Sequence, residues 1–205
     1  MKGGHARKTN PLVVMGASLG GLDAVGAILR RLTDSFPAPI VVVLHRAADD
    51  QSRLVELLAR RSALPVIEPN DRQELMAGTV YLGPADYHLL VGDGHVYFST
   101  EGPENFARPS IDVLFEAAAE ADFQPLVGVL LTASSEDGAR GLWQIARAGG
   151  RTIVQSANEA KSAVAIRAAE RLGAAQESLP LEVVPKRLVE LFGVRGALPG
   201  APPAL

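Results

Sequence analysis

Ser18, His45 and Asp137 each follow a continuous apolar run, and a hydroxyl, an imidazole and a carboxylate are the parts of a nucleophilic hydrolytic site. Ser18 stands in Gly16-Ala17-Ser18-Leu19-Gly20-Gly21, directly after Pro11-Leu12-Val13-Val14-Met15. The spacing Gly16-x-Ser18-x-Gly20 is that of a nucleophile elbow, where glycines tolerate a tight strand-to-helix turn and leave the serine oxygen exposed. Two other readings fit the same residues. Ser18 could cap the helix that follows it, or the glycine-rich turn could receive an anion. The second lacks the Lys of a P-loop, and Gly16-x-x-x-Gly20-Gly21 is not the dinucleotide pattern.

His45 ends the run Ile40-Val41-Val42-Val43-Leu44, and Asp137 closes the loop Thr132-Ala133-Ser134-Ser135-Glu136 after Leu126-Val127-Gly128-Val129-Leu130-Leu131. In a triad the imidazole takes the hydroxyl proton while the carboxylate orients the ring and stabilises its charged form. The order Ser, His, Asp differs from that of α/β-hydrolases, but a triad is defined by geometry rather than order. Asp137 would also suit a helix start as a dipole-complementing acid, and Glu136 could take either role. His88 and His95 fall in a hairpin and are weaker candidates for the base. Backbone N–H groups after Ser18, at Leu19, and in the Ala133-Ser134-Ser135 loop, at Ser134, are available to meet an oxyanion. The histidines are scattered without metal-ligand spacing, so neither a metal nor a cofactor is expected.

The elements that must position these residues read as a doubly wound α/β fold. Apolar runs of four to six residues suit buried strands, and Leu22, Val25, Ile28, Leu29 and Leu32 recur at helical spacing. Strands apolar on both faces and separated by helices imply a mostly parallel sheet with helices on both faces. Ligands bind such sheets outside the carboxyl ends of the strands, which is where Ser18, His45 and Asp137 fall. Leu54, Leu57 and Leu58 mark a helix within Ser52 to Arg61, followed by the short strand Pro65-Val66-Ile67 and the segment Thr79-Val80-Tyr81-Leu82. His88-Leu89-Leu90-Val91 and His95-Val96-Tyr97-Phe98 around Gly92-Asp93-Gly94 predict an antiparallel β-hairpin. Pro109-Ser110-Ile111-Asp112 starts a helix, with Ser110 its cap. Thr152-Ile153-Val154 is a further strand, Ala157 to Gly173 a helical stretch, and Leu181 to Phe192 a final amphipathic helix.

The chain has 205 residues, 47% of them hydrophobic, enough for one sizeable core. Residues 1–10 read as a mobile lead-in with an irrelevant His5, 11–193 as one domain, and 194–205 as a disordered Pro-rich tail. A net charge of −3 without clustered cations argues against nucleic acid as a partner. No cysteine is present, which fits a reducing compartment without requiring one. No leader with an apolar region and no run of about eighteen apolar residues is seen, so the expectation is a cytoplasmic protein without membrane insertion.

Taken together, Gly16-Ala17-Ser18-Leu19-Gly20-Gly21, the strand ending Leu44-His45, Tyr81-Leu82-Gly83-Pro84-Ala85-Asp86-Tyr87-His88, Arg108-Pro109-Ser110-Ile111-Asp112-Val113-Leu114-Phe115, and Leu130-Leu131-Thr132 through Asp137-Gly138-Ala139 resemble the catalytic domain of the CheB family, the chemotaxis protein-glutamate methylesterases. The likeness runs from about residue 11 to about residue 192. It implies Ser18 as nucleophile, His45 as base, Asp137 as its orienting partner, and oxyanion donors in the Ser134 loop. It implies as substrate the glutamate methyl esters on cytoplasmic helices of chemoreceptors, with glutamine deamidation as a related activity. This chain departs from the family pattern at Leu19, at Ala107, over Ala133-Ser134-Ser135-Glu136, and at Val164-Ala165-Ile166-Arg167. No receiver domain precedes the elbow in these residues, so the chain reads as a stand-alone enzyme, a fragment or a relative with another target, with a response regulator on a separate chain as one candidate partner. The altered loop before Asp137 motivates a catalytically weakened interaction domain as an alternative, and a small-molecule esterase is a second.

Overall fold

The computed structural model describes residues 10–49 and 53–193. The expected lead-in, apart from Asn10, and the expected tail lie outside the described residues.

Seven strands form one sheet: β1 (Leu12–Ala17), β2 (Ile40–Leu44), β3 (Val66–Ile67), β4 (Val80–Leu82), β7 (Leu126–Leu130), β8 (Arg151–Gln155) and β9 (Glu177–Leu179), in the order β3-β4-β2-β1-β7-β8-β9. Every pairing in it is parallel. β5 (His88–Gly92) and β6 (His95–Ser99) make the expected antiparallel hairpin as a separate sheet.

Side chains alternate across a strand, and β1 shows it plainly. Val13, Met15 and Ala17 join one apolar cluster with α1 (Gly21–Leu29), α2 (Leu54–Ala59) and α6 (Val184–Leu191). Leu12 and Val14 join the opposite cluster, built with α3 (Ile111–Glu120), α4 (Ala139–Arg147) and α5 (Val164–Arg171). Because both faces are covered, β1, β2 and β7 are buried along their whole lengths. Gly16 belongs to the α3 face, and a Cβ there would lie 2.1 Å from Ile111 Cγ2. The missing side chain lets the first residue of α3 press onto the end of β1.

Three local expectations change. α1 has Gly20 as its N-cap, with no side-chain cap bond, so Ser18 is not the helix cap. The helix expected over Ala157 to Gly173 is confined to α5. Ser162 accounts for this, since its carbonyl accepts from Ala133 N–H (3.1 Å) and its N–H donates to Thr132 Oγ1 (2.9 Å), pairing that backbone with a loop rather than a helical turn. Strand β9 was not anticipated; it is short and only partly buried, so its apolar signal is weak. Among the described residues, no helix is long and apolar enough to cross a membrane.

Candidate active site

Parallel register brings two of the three residues to neighbouring strand ends. Ala17 pairs with Leu44, and His45 N–H donates to Ala17 O at 3.0 Å, so Ser18 and His45 are the next residues on adjacent strands. Asp137 reaches the same rim from beyond β7, on the other side of β1. Its Oδ2 lies 2.6 Å from His45 Nε2. The structure therefore joins imidazole and carboxylate directly and sets the serine beside them. The Ser18 hydroxyl itself hydrogen-bonds no described residue; such contacts often tighten only when substrate is bound.

The carboxylate of Asp137 is fully buried and accepts five hydrogen bonds: Oδ2 from His45 Nε2 (2.6 Å) and Ile111 N–H (2.7 Å), Oδ1 from Ser110 Oγ (2.7 Å), Asn105 Nδ2 (3.1 Å) and Asp112 N–H (3.1 Å). Burial by itself would push this acid up, but the bonds from His45, Ile111, Ser110 and Asn105 outweigh it and hold the carboxyl below its ordinary value. Asp137 thus stays an anion and can only accept. His45 Nε2 must carry the proton it donates, leaving Nδ1 as the basic nitrogen.

Asp137 serves as the anion for the N-terminus of α3, not of α4, the helix that follows it in the chain. The converse also holds: Asp112, in the first turn of α3, accepts at Oδ1 from Gly138 N–H (2.9 Å) and Gly141 N–H (2.7 Å) at the start of α4. Each helix supplies the carboxylate that satisfies the other's orphan donors. Gly138, with φ of 96°, makes the turn into α4, and a Cβ on it would stand 2.6 Å from Ile111 Cγ2. Asn105 Nδ2 spans the two acids, 2.9 Å from Asp112 Oδ2 and 3.1 Å from Asp137 Oδ1. Burial raises the Asp112 carboxyl most, Gly141 N–H lowers it, and the neighbouring Asp137 charge raises it, for a result of about 6.

Two further segments close the site. Ser18 N–H donates to Thr132 O (2.9 Å), and Thr132 Oγ1 lies 2.9 Å from Leu19 O, stitching the turn after β1 to the loop after β7. The N–H groups of Leu19 and Ser134, the expected oxyanion donors, sit on these stitched segments and donate to no acceptor among the described residues. The competing candidates have other occupations. Glu136 is exposed and pairs with Arg171 at 2.7 Å. His88 is buried, bonded to Gly102 O (3.0 Å) and to Ser110 N–H (3.2 Å), which holds the start of α3; His95 bonds Asp93 O within the hairpin.

Sequence reasoning missed Asn105 and the exchange between Asp112 and Asp137. Pro109-Ser110-Ile111-Asp112 was legible as a helix start, and an acid there signals an N-terminal turn, but nothing in its spacing says that the turn belongs to α4. Asn105 carries no local signal, because its role depends on two acids distant in sequence.

The chain matches the CheB methylesterase family over residues 13–188. It belongs to that family. Its fold superposes on the crystal structure of the Thermotoga maritima CheB methylesterase catalytic domain with a TM-score of 0.83 at 31% identity, covering 89% of this chain and 99% of that one. It is 44% identical over 182 residues to protein-glutamate methylesterase/protein-glutamine glutaminase 2 of Anaeromyxobacter dehalogenans, covering 88% of this chain and 53% of that protein. It is 39% identical over 187 residues to the protein-glutamate methylesterase FrzG of Myxococcus xanthus, covering 90% of this chain and 55% of FrzG. A Leptospira interrogans protein named for the same pair of activities is 37% identical over 181 residues, with 88% of this chain and 92% of that protein covered. This CheB-family chain thus spans about half the length of some curated relatives and nearly all of another.

Proposed function

We propose that this CheB-family chain is a serine hydrolase that demethylates glutamate methyl esters on the cytoplasmic helices of chemoreceptors, and deamidates glutamine at such sites, within the cytoplasm. The observation that carries this reading is the 2.6 Å contact between His45 Nε2 and the buried Asp137 carboxylate at the strand end next to Ser18. Ser18 Oγ attacks the ester carbonyl and passes its proton to His45 Nδ1, while Asp137 stabilises the imidazolium. The tetrahedral oxyanion is met by Leu19 and Ser134 N–H, each donor contributing about 3–4 kcal/mol. His45 then protonates the departing methoxide, giving methanol and an acyl-enzyme. Water, deprotonated by His45, attacks that acyl group to release glutamate and restore Ser18. With a glutamine substrate the leaving group is ammonia.

The test is methanol release from a methylated chemoreceptor, with a Ser18→Ala variant alongside and a fluorophosphonate probe as a second readout. Release and covalent labelling in the parent, both lost in the variant, support the reading. Methanol release by Ser18→Ala at the parental rate refutes it. Labelling of Ser18 with turnover of short esters alone would favour a small-molecule esterase, and absence of labelling an interaction domain.

A further inference from the structure

Phe106 is fully exposed, at 105% relative accessibility, and its φ is 61°. Asn105 before it has φ of 51°, and Glu104 and Ala107 exchange backbone hydrogen bonds of 3.1 and 2.9 Å across the two. Two successive left-handed residues closed in this way make a tight turn of type I′ character, which Asn tolerates and a bulky side chain does not. Folding has no use for Phe106 there: Gly or Asn would relieve the backbone, and any polar residue would remove an aromatic ring from water. Backbone strain held at an exposed position points to function.

The turn is anchored rather than loose. Asn105 spans the two buried acids, Glu104 pairs with Arg140 at 3.1 Å, and the Arg108 guanidinium bonds Asp86 and the carbonyls of Thr100 (3.2 Å) and Glu101 (3.0 Å). On this base Phe106 lines a surface cavity of about 440 Å³ whose wall also includes His45, Pro103 and Arg108. An aromatic ring presented on an ordered turn beside the candidate base is a ready contact for substrate.

We propose that Phe106 is a specificity-determining contact for the protein substrate, packing against an apolar side chain of the receptor helix that flanks the esterified glutamate. The proposal rests on the methylesterase reading above. On a helix, residues three or four positions from the modified glutamate share its face, so an apolar one can meet Phe106 while the ester meets Ser18. A small ester needs only the reacting position, so on this proposal its turnover does not depend on a contact with Phe106.

The test compares kcat and KM for methylated chemoreceptor and for p-nitrophenyl acetate in the parent, Phe106→Gly and Phe106→Tyr. Gly suits the positive φ, so the turn is preserved. Burying a phenyl ring against substrate predicts that Phe106→Gly lowers the ratio of receptor to small-ester kcat/KM by about ten- to a hundredfold, through KM, and that Phe106→Tyr restores it. A ratio within about twofold of the parent overturns the proposal. So does an equal loss on both substrates, which would place the effect in the triad. Concentration-dependent dimerisation abolished by Phe106→Gly, with the ratio unmoved, would assign the ring to a second copy of the chain and overturn it too. A parent that releases no methanol from receptor fails the functional reading itself, whereas failure confined to the Phe106→Gly ratio fails this proposal alone.

Discussion

Replacing Asp137 by Asn tests whether one carboxylate both orients the base and completes a helix start. Asp137 Oδ2 faces two donors, His45 Nε2 and Ile111 N–H, and Oδ1 faces three, Ser110 Oγ, Asn105 Nδ2 and Asp112 N–H. An amide has one oxygen, so its NH2 must confront one of these sets. If the NH2 takes the Oδ2 position, Ile111 N–H is orphaned and His45 must accept at Nε2, which moves its proton to Nδ1 and removes the base. If it takes the Oδ1 position, Asp112 N–H and Asn105 lose their acceptor. Either way a buried backbone N–H of α3 goes unpaired, costing about 1–3 kcal/mol, and a negative charge is lost from the helix N-terminus, worth up to about 2 kcal/mol. The sum, about 1–5 kcal/mol, corresponds to a fall in Tm of roughly 2–20 °C in a domain of this size. The first orientation gives the wrong imidazole tautomer and lowers kcat by about 10⁴, whereas the second keeps the tautomer and lowers kcat through loss of the charge that stabilises the imidazolium. Thermal unfolding and methanol release, with the variant assayed well below its Tm, read the two effects separately. A Tm within about 2 °C of the parent refutes the donor count, and a kcat within tenfold refutes the need for a charged Asp137 beside His45 even if stability falls.

Asp112→Asn isolates the second acid. Because the folded-state carboxyl is raised from 3.8 to about 6, the native protein binds its proton more tightly than the unfolded chain, and this contribution to stability is full below about pH 4, falls as pH rises through 6 and is flat above. The parent-minus-variant unfolding free energy should therefore drop by about 3 kcal/mol at most between pH 4 and 7; denaturant titrations giving a level difference would contradict it. The Asp137 contribution runs the opposite way: its carboxyl lies below the ordinary value, so its contribution is complete above about pH 4 and is lost only below that, outside this window. Gly16→Ala places a Cβ 2.1 Å from Ile111 Cγ2 and should cost about 1–3 kcal/mol by overpacking, with slower fluorophosphonate labelling as the start of α3 is pushed off β1. Adding Ile111→Ala should recover part of that loss; strictly additive effects would show that the two residues do not compete for the same space.

The parts of the structure that were legible in sequence are those whose cause is local. Runs such as Ile40-Val41-Val42-Val43-Leu44 and Leu126-Val127-Gly128-Val129-Leu130 declare buried parallel strands, because a strand covered on both faces has no polar side to show. The rim position of Ser18 and His45 follows from that, since each residue ends such a run. The unread parts are those whose cause lies elsewhere in the chain. Ser162 stays out of a helix because Thr132 and Ala133 claim its backbone, and Asp137 looks like the acid of its own helix while its bonds go to α3.

That exchange explains why the acid of the candidate triad sits so far past its strand. A carboxylate alone in this buried position would be pushed toward its neutral form and would cease to hold the His45 proton. The N-terminus of α3, carried over β1 by Gly16, supplies donors from Ile111 and Asp112 that keep Asp137 ionised. α3 can remain there because Asp112 is in turn bound by the start of α4. The loop that delivers Asp137 must therefore be long enough to leave β7, cross the end of β1 and return into α4 at Gly138. Residues 132–136 cover that distance, and Thr132 at their start bonds the Ser18 turn two residues before Ser134. Candidate acid and candidate oxyanion donor thus come from one crossing, so a deletion that shortens this loop should disable both at once rather than either alone.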